Sequence, residues 1–257
     1  MRITETRRFA EALGSWMHFE TCCLRAGLFS ESSFKSAIGS VASSLRAEHR
    51  GARVHADYPL HSIQRIPDAD QKIGRGRKRS VDFALIYDDS RQPPSEPQLL
   101  IEAKWAGSSH CTVKNIMGDF IRLCLMKRFH PNAVCLLVLA GHKKDVGKAL
   151  SRRPFVGGAK DLIRSDGTGT IKKFRFLPED PDHQRHFSSA IRVFHEANLG
   201  VPTAFCTSGS LPYPSAPTTF RAVAWEVHTV ESQNLNRDKW LTSKVKRATA
   251  LKEDAIS

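Results

Sequence analysis

The residues from Ala133 to Ala140, AVCLLVLA, form an unbroken apolar run that ends at Gly141. Such a run is typical of a β-strand that is buried on both faces of a sheet. It follows a helical pattern over residues 113–128, and an apolar, β-prone segment over residues 98–105 precedes that helix. Strand, helix and buried strand in succession predict a parallel, right-handed crossover and therefore an α/β fold.

Further helices and strands are predicted on either side of this unit. Apolar residues recur at helical spacing over residues 5–26, from Phe9 to Leu24, and Gly27 is expected to end that helix. The other predictions, in chain order, are a helix at 31–48 with Ser30 as N-cap, a strand at 53–58, a polar loop at 60–79, a strand at 80–87, a helix at 142–152, a strand at 171–177, a helix at 183–198, strands at 201–207 and 220–230, and a basic helical tail at 239–257.

Two neighbouring strands of this prediction carry charges among their apolar residues. Segments 80–87 and 98–105 are expected to pair as an antiparallel hairpin. Because side chains alternate along a strand, Glu102 and Lys104 share one face of the second segment. Asp82 lies on the first segment. Burying such charges costs several kcal/mol unless they are paired or bind a metal, which indicates that the protein uses them.

The two acids and the lysine suit one kind of chemistry. Asp82 and Glu102 are expected to converge at one edge, and two neighbouring carboxylates are commonly stabilised by a divalent cation. Mg²⁺ prefers carboxylates, waters and phosphate oxygens, and the carbonyl of Ala103 is a further candidate ligand. Lys104 could orient or deprotonate a water, or stabilise charge on a phosphate. These are the parts needed for metal-assisted phosphodiester hydrolysis; the alternative is a structural ion pair on a solvated hairpin face.

The charge of the chain favours an anionic partner. Lys and Arg outnumber Asp and Glu by 39 to 26, which gives a net charge of +13. Nucleic acid is the commonest partner of such proteins. The end of the polar loop is expected to contact DNA phosphates, unless it is a mobile basic loop without a partner. Its basic residues are Arg75, Arg77, Lys78 and Arg79, with two glycines between them.

The order of these elements resembles that of the PD-(D/E)xK nuclease superfamily, the restriction-endonuclease-like fold. The matching residues are Asp82 in VDFALI and Glu102 and Lys104 in LLIEAKW, and the resemblance covers roughly residues 30–141. The chain departs from the pattern because Ser80-Val81 precedes Asp82 where a proline would stand. The resemblance implies a mixed central β-sheet flanked by helices, Mg²⁺ on the Asp and the Glu, and a Lys that assists the nucleophile.

The resemblance also implies an acidic residue from the first helix. Glu31 is the candidate, because it is in register with the apolar stripe of its helix and would face the sheet; Glu20 is the rival, and Glu48 lies further round. On the helix after the motif, Asp119 and Arg122 are expected to lie on a solvated face, with substrate contact as the alternative.

The resemblance gives the leading functional hypothesis, a Mg²⁺-dependent DNA endonuclease, with Mn²⁺ as a substitute metal. A role in restriction or anti-phage defence is expected only because many members of the family have that role. The alternatives are a catalytically silent nucleic-acid-binding subunit on the same fold, and an RNA-directed or exonucleolytic variant. A homodimer would suit double-strand cleavage, and an activating partner or ligand is a further candidate.

The remaining features predict one cytoplasmic domain. No composition shift divides residues 1–257, so residues 142–257 are expected to add strands and helices to a core at about 30–141. No apolar run has the length of a membrane span or a signal peptide. The six cysteines include no CxxC pair, and Cys124 and Cys135 lie inside apolar patterns, so reduced thiols are expected.

Overall fold

The computed structural model describes residues 4–44, 51–59, 80–87, 96–151, 155, 170–175, 202–215 and 218–232. These residues form an α/β fold with a mixed sheet. The strands are β1 (Ala52–Pro59), β2 (Ser80–Tyr87), β3 (Pro97–Trp105), β4 (Val134–His142), β5 (Lys172–Arg175), β6 (Pro202–Gly209) and β7 (Phe220–Ser232). The helices are α1 (Glu5–Cys22), α2 (Glu31–Ser44), α3 (Val113–Phe129) and α4 (Lys143–Leu150), and a 3-10 turn spans Ala26–Leu28.

Seven strands of the described chain lie in one sheet, in the order β1-β2-β3-β4-β7-β6-β5. β1, β2 and β3 are antiparallel neighbours, as the hairpin prediction required. β3 and β4 are parallel, and α3 connects them, which confirms the predicted parallel connection. β7 is antiparallel to β4, and β6 and β5 continue the sheet beyond it. The late strands therefore extend the same sheet as the early ones.

The buried strand β4 separates two apolar cores. Its side chains alternate: Leu137 and Leu139 pack on the face that α3 covers, while Leu136 and Val138 pack on the opposite face with α1 and α2. All four are fully buried, so the prediction of a strand buried on both faces is confirmed. Because each face needs an apolar helix against it, this strand fixes the layered arrangement of the molecule.

The first helix is shorter than predicted. It ends at Cys22 rather than at residue 26. The backbone N–H groups of Cys23 and Leu24 donate hydrogen bonds to the carbonyls of Phe19 and Thr21, respectively. Leu24 has a φ of 60° and is 93% exposed, so it does not belong to the apolar stripe. Met17 is the last buried residue of the helix, so a further turn would have no packing against the sheet to stabilise it.

Several other predictions can be compared with the structure. The strands predicted at 53–58, 171–177, 201–207 and 220–230 and the helix at 142–152 are present, with bounds shifted by at most two residues. The helix predicted at 183–198, the tail at 239–257 and the end of the second helix at 45–48 lie outside the described residues. The thiols of Cys124 and Cys135 are free and buried, as predicted.

Gly14 of α1 is expected to tolerate no larger residue. A Cβ added there would lie 2.6 Å from the carbonyl oxygen of Tyr213, well inside van der Waals contact. We expect Gly14→Ala to lower the free energy of unfolding by about 1–3 kcal/mol, although alanine is the better helix former. Gly147→Ala in α4 is the matched control, because nothing lies within 4 Å of its added Cβ.

Urea denaturation of the two variants tests this packing. The control is expected to match the wild type or to be more stable by about 0.5–1 kcal/mol, since the unfolded chain loses conformational freedom. Equal stability of the two variants would contradict the close approach of α1 to Tyr213.

Candidate active site

The backbone pairing of β2 and β3 ends just before the charged residues. The paired residues run from Ile86 and Pro97 to Phe83 and Ile101. Beyond this point Oδ2 of Asp82 accepts a hydrogen bond of 2.9 Å from the backbone N–H of Ala103. The N–H and C=O of one strand residue point to the same side, so the carbonyl of Ala103 is also directed toward β2. Asp82 is therefore hydrogen-bonded to the main chain of β3 where the two strands separate.

Glu102 and Lys104 lie on the face of β3 that α3 covers, as the alternation of the strand predicted. Their neighbours Ile101 and Ala103 belong to the opposite core. Oε1 of Glu102 accepts a hydrogen bond of 2.9 Å from Nε of Arg122, and only 2% of Glu102 is exposed. Nζ of Lys104 lies 2.8 Å from Oδ2 of Asp119. Each of the two strand residues is therefore paired with a residue of opposite charge on the helix.

The solvated face predicted for Asp119 and Arg122 is wrong for Asp119, while Arg122 is half-buried with its side chain 42% exposed. Asp119 is 2% exposed, and its Oδ1 also accepts a hydrogen bond from Arg122, one helical turn later. The two residues replace apolar contacts at a point where β3 presents charges instead of apolar side chains. Because an apolar stripe is the usual sign of an inward helix face, the charges of this pair concealed its orientation. The sequence carried one signal of this pairing. The helix has an acid and a base, Asp119 and Arg122, and the strand has a base and an acid, Lys104 and Glu102, to match them.

Helix α2 brings a base to the site, not the acid that was expected. Nζ of Lys35 lies 2.7 Å from Oδ1 of Asp82. Glu31, one turn earlier, is exposed, so the inward orientation expected of it is not observed, and its catalytic role stays a prediction. Glu20, the rival candidate, accepts two hydrogen bonds from Arg25 at the end of α1. Glu48 lies outside the described residues.

These residues form what we term the charged cluster, whose members are Asp82, Glu102, Lys104, Asp119, Arg122 and Lys35. It contains three acids and three bases, so its charges balance when all six are ionised. Neither Lys35 nor the inward pair on α3 was predicted from the sequence. Sequence reasoning identified the strand half of the cluster and missed the helix half.

Burial and pairing shift the acids in opposite directions. Burial favours the neutral form of Asp82, but hydrogen bonds from Lys35 and the backbone of Ala103 outweigh it and lower its pKa. For Glu102, burial dominates and repulsion from Asp119 and Asp82 adds to it; Arg122 opposes both, and the pKa of Glu102 rises to about 8. The positive charge within reach of Glu102 therefore does not fully offset the cost of burying its carboxylate.

Lys104 is held in its charged form. Burial alone would lower its pKa, but the charge of Asp119 and the hydrogen bond to it more than compensate, so that the pKa is raised. The pKa of Arg122 is raised for the same reason, through Glu102 and Asp119, against the effect of burial. A lysine that stays protonated stabilises developing negative charge better than it accepts a proton.

The candidate metal ligands of the site are oxygen donors. The candidate ligands predicted from the sequence are the carboxylates of Asp82 and Glu102 and the carbonyl of Ala103, all hard oxygen donors of the kind that Mg²⁺ prefers. In the described part of the chain, no group of three or more His, Cys, Asp or Glu side chains is arranged to hold a metal. A metal site here therefore rests on the chemistry of two carboxylates and one backbone carbonyl, and it stays a prediction.

The surface predicted to bind DNA is described only in part. Arg75, Arg77, Lys78 and Arg79 lie outside the described residues. Three lysines of α4, namely Lys143, Lys144 and Lys148, are exposed. They offer positive charge on a helix that directly follows β4.

A second polar group lies on β6 and β7. Ser208 is hydrogen-bonded to Nε2 of His228 at 2.7 Å, and Nδ1 of His228 lies 3.4 Å from Oε1 of Glu226. The three residue types are those of a nucleophilic triad. However, Ser208 is 5% exposed and lies within an extended strand, not on a turn that would present its hydroxyl to a substrate. We interpret this group as a half-buried polar network that links the two strands.

Comparisons with known proteins add no relative. No family model matches this chain, and neither a curated protein nor a solved structure matches it. In the residues that the structure describes, no helix has both the length and the apolar character needed to cross a membrane. Function is therefore inferred from the side chains of the charged cluster.

Proposed function

We propose that this protein is a Mg²⁺-dependent endonuclease that hydrolyses phosphodiester bonds of DNA. The observation that carries the proposal is that Asp82, Glu102 and Lys104 lie within electrostatic reach of one another where β2 and β3 separate. Asp82 is anchored to the backbone of Ala103, and Glu102 is 2% exposed. Carboxylates buried at such a cost are uncommon unless they pair with cations or bind a metal.

Each residue of the site has a distinct role in the proposed reaction. Asp82, Glu102 and the carbonyl of Ala103 would hold Mg²⁺, with Mn²⁺ as a substitute. When bound, the ion supplies positive charge that polarises the phosphate and favours ionisation of a water. Lys104, kept protonated by Asp119, would orient the attacking water and stabilise the charge that develops on the phosphate oxygens as the P–O bond breaks.

The order of the elements supports a restriction-endonuclease-like fold. α2, three antiparallel strands, α3 and a parallel β4 follow one another in the chain, and the Asp and Glu-x-Lys residues lie on the second and third strands. This is the arrangement that the sequence resemblance implied. Within this proposal, residues 1–257 form one nuclease domain, and β5, β6 and β7 extend its sheet.

The proposed partners follow from charge and from the family resemblance. The net charge of +13 and the exposed lysines of α4 suit the DNA backbone. A homodimer would place two sites on opposite strands of a duplex. An activating ligand or protein would keep the enzyme inactive until it binds. A role in restriction or anti-phage defence is proposed from the resemblance alone.

One observation favours a second candidate function, that of a silent nucleic-acid-binding subunit. All three acids of the charged cluster already have basic partners, which is also what a purely structural ion network would show. An RNA-directed or exonucleolytic activity remains a variant of the first proposal, because the same residues would perform it.

Cleavage of supercoiled plasmid tests the proposed function. The wild type is expected to produce nicked and linear DNA in Mg²⁺ and none in EDTA. Lys104→Ala is expected to lower the rate by about 10²–10³-fold, because the charge nearest the phosphate is lost. Glu226→Gln is the matched control, since that half-buried acid lies on β7 outside the charged cluster.

Three results would argue against the proposal or refine it. DNA binding without cleavage in any divalent metal would favour the silent subunit. Preferential cleavage of a matched single-stranded RNA would identify the RNA-directed variant. Degradation of linear but not of circular DNA would identify an exonuclease.

A further inference from the structure

Asp119 is the acid of the charged cluster that the proposed metal site does not use, and it is buried. Its Oδ2 lies 2.8 Å from Nζ of Lys104, and its Oδ1 accepts a hydrogen bond from Arg122. Its side chain is 3% exposed, against 20% for Lys104 and 42% for Arg122. One buried carboxylate therefore holds two bases that both extend toward the surface.

Without Asp119, Lys104 would have two other acids to bind. Glu102 is two residues earlier on the same face of β3, and the charge of Asp82 also reaches Lys104. A lysine has a long, flexible stem and no preferred planar partner, so its position is set by the nearest available acid. On Glu102 or Asp82, the ammonium group would occupy oxygens that the proposed metal needs.

Arg122 also has more than one acidic partner. It is bound to Glu102 and to Asp119 at once, and these two acids share its guanidinium. A metal on Glu102 competes with Arg122 for that carboxylate. Asp119 gives Arg122 a partner that it keeps when Glu102 is taken, so the exchange does not leave an unpaired charge in a buried site.

We infer that Asp119 is a positioning residue of the proposed nuclease, which holds Lys104 beside the metal ligands and retains Arg122 when Glu102 binds metal. The inference rests on the proposed function and adds a residue to its machinery. Asp119 acts through Lys104 and Arg122, and it is assigned no contact with the substrate. Its location on α3 couples the packing of that helix to the geometry of the strand residues.

The test is a comparison of Asp119→Asn and Arg122→Gln in the full-length protein. Mn²⁺ binding is measured by electron paramagnetic resonance without DNA, and plasmid cleavage is measured at saturating Mn²⁺. Asp119→Asn is expected to raise the Kd for Mn²⁺ about 10-fold, because Lys104 and Arg122 then compete for its ligands. At saturating metal its kcat is expected to fall about 10²-fold, with the KM for DNA changed less than about 3-fold, because Lys104 is displaced.

Arg122→Gln is expected to change metal binding in the opposite direction. It removes the competitor for Glu102 and leaves the pair of Lys104 and Asp119 intact, so the Kd for Mn²⁺ should fall several-fold. A merely structural network would weaken Mn²⁺ binding in both variants. Opposite signs would therefore support the inference, and a common loss would overturn it.

A double variant tests whether Asp119 acts through Lys104. If it does, Asp119→Asn combined with Lys104→Ala should cut DNA as slowly as Lys104→Ala alone, because neighbours with one shared role are not additive. Circular dichroism and thermal unfolding identify any variant that fails to fold. If Asp119→Asn does not fold, Asp119→Glu, which keeps the charge but moves it by one methylene group, replaces it in the same Mn²⁺ and cleavage measurements. Wild-type levels of binding and cleavage in Asp119→Asn would overturn the inference alone, whereas a wild type that neither binds Mn²⁺ nor cuts DNA would overturn the proposed function with it.

Discussion

Replacement of Glu102 by Gln is expected to abolish DNA cleavage while leaving the protein folded. The variant loses one of the two carboxylates proposed to hold the metal, and with it several kcal/mol of charge stabilisation, which corresponds to a rate loss of about 10⁴-fold. Gln preserves the volume of the side chain, and its amide oxygen can still accept the hydrogen bond from Arg122. The free energy of unfolding in EDTA is therefore expected to change by less than about 1.5 kcal/mol.

Thermal unfolding separates the loss of a ligand from the loss of the fold. A ligand that binds only the folded state raises the Tm, so Mg²⁺ is expected to stabilise the wild type. It should not stabilise Glu102→Gln, and Glu226→Gln should respond to Mg²⁺ like the wild type. Cleavage by Glu102→Gln at more than about a tenth of the wild-type rate would be incompatible with Glu102 as a metal ligand.

The second large effect is expected in the core beneath α3. Phe120 is fully buried, and its ring packs on those of Phe205 and Trp225, with centroids 5.7 Å and 5.9 Å away. These contacts fix α3 to β6 and β7, and Phe120 directly follows Asp119. We expect Phe120→Ala to lower the free energy of unfolding by about 3–5 kcal/mol, through lost burial and the cavity left behind.

Urea denaturation with a matched aromatic deletion tests this expectation. Phe19→Ala removes the same group from α1, where the side chain is 59% exposed and lies under Arg25. Its cost should stay below about 1 kcal/mol. Similar midpoints for the two variants would show that α3 is not anchored through Phe120.

The prediction of the fold succeeded where a sequence pattern was compatible with only one local structure. The apolar run of β4 could not be exposed on either face, so it required a core on each side and a connection through α3. Alternation along β3 likewise placed Glu102 and Lys104 together, because a strand has only two faces. These features follow from local geometry, and the sequence carried them without help from distant residues.

The helix half of the charged cluster could not be obtained in this way. Periodicity identifies the inward face of a helix by its apolar residues, so Asp119 and Arg122 were assigned to solvent. Glu31 was expected to face the sheet, yet Lys35 is the residue of α2 that reaches Asp82. The choice between two such positions depends on how far the helix is rotated and where it crosses the sheet, which its own sequence does not specify.

The sequence by itself thus determined the order of the elements, the buried strand and the strand residues of the candidate site. The tertiary structure alone decided that three bases, Lys35, Lys104 and Arg122, are each held by a buried or half-buried acid. The physical reason is the separation along the chain of the residues that interact. Apolar patterning is a property of neighbouring residues, whereas the partner of a buried charge is set by the approach of separate elements, and it is selected because an unpaired charge would be too costly to bury.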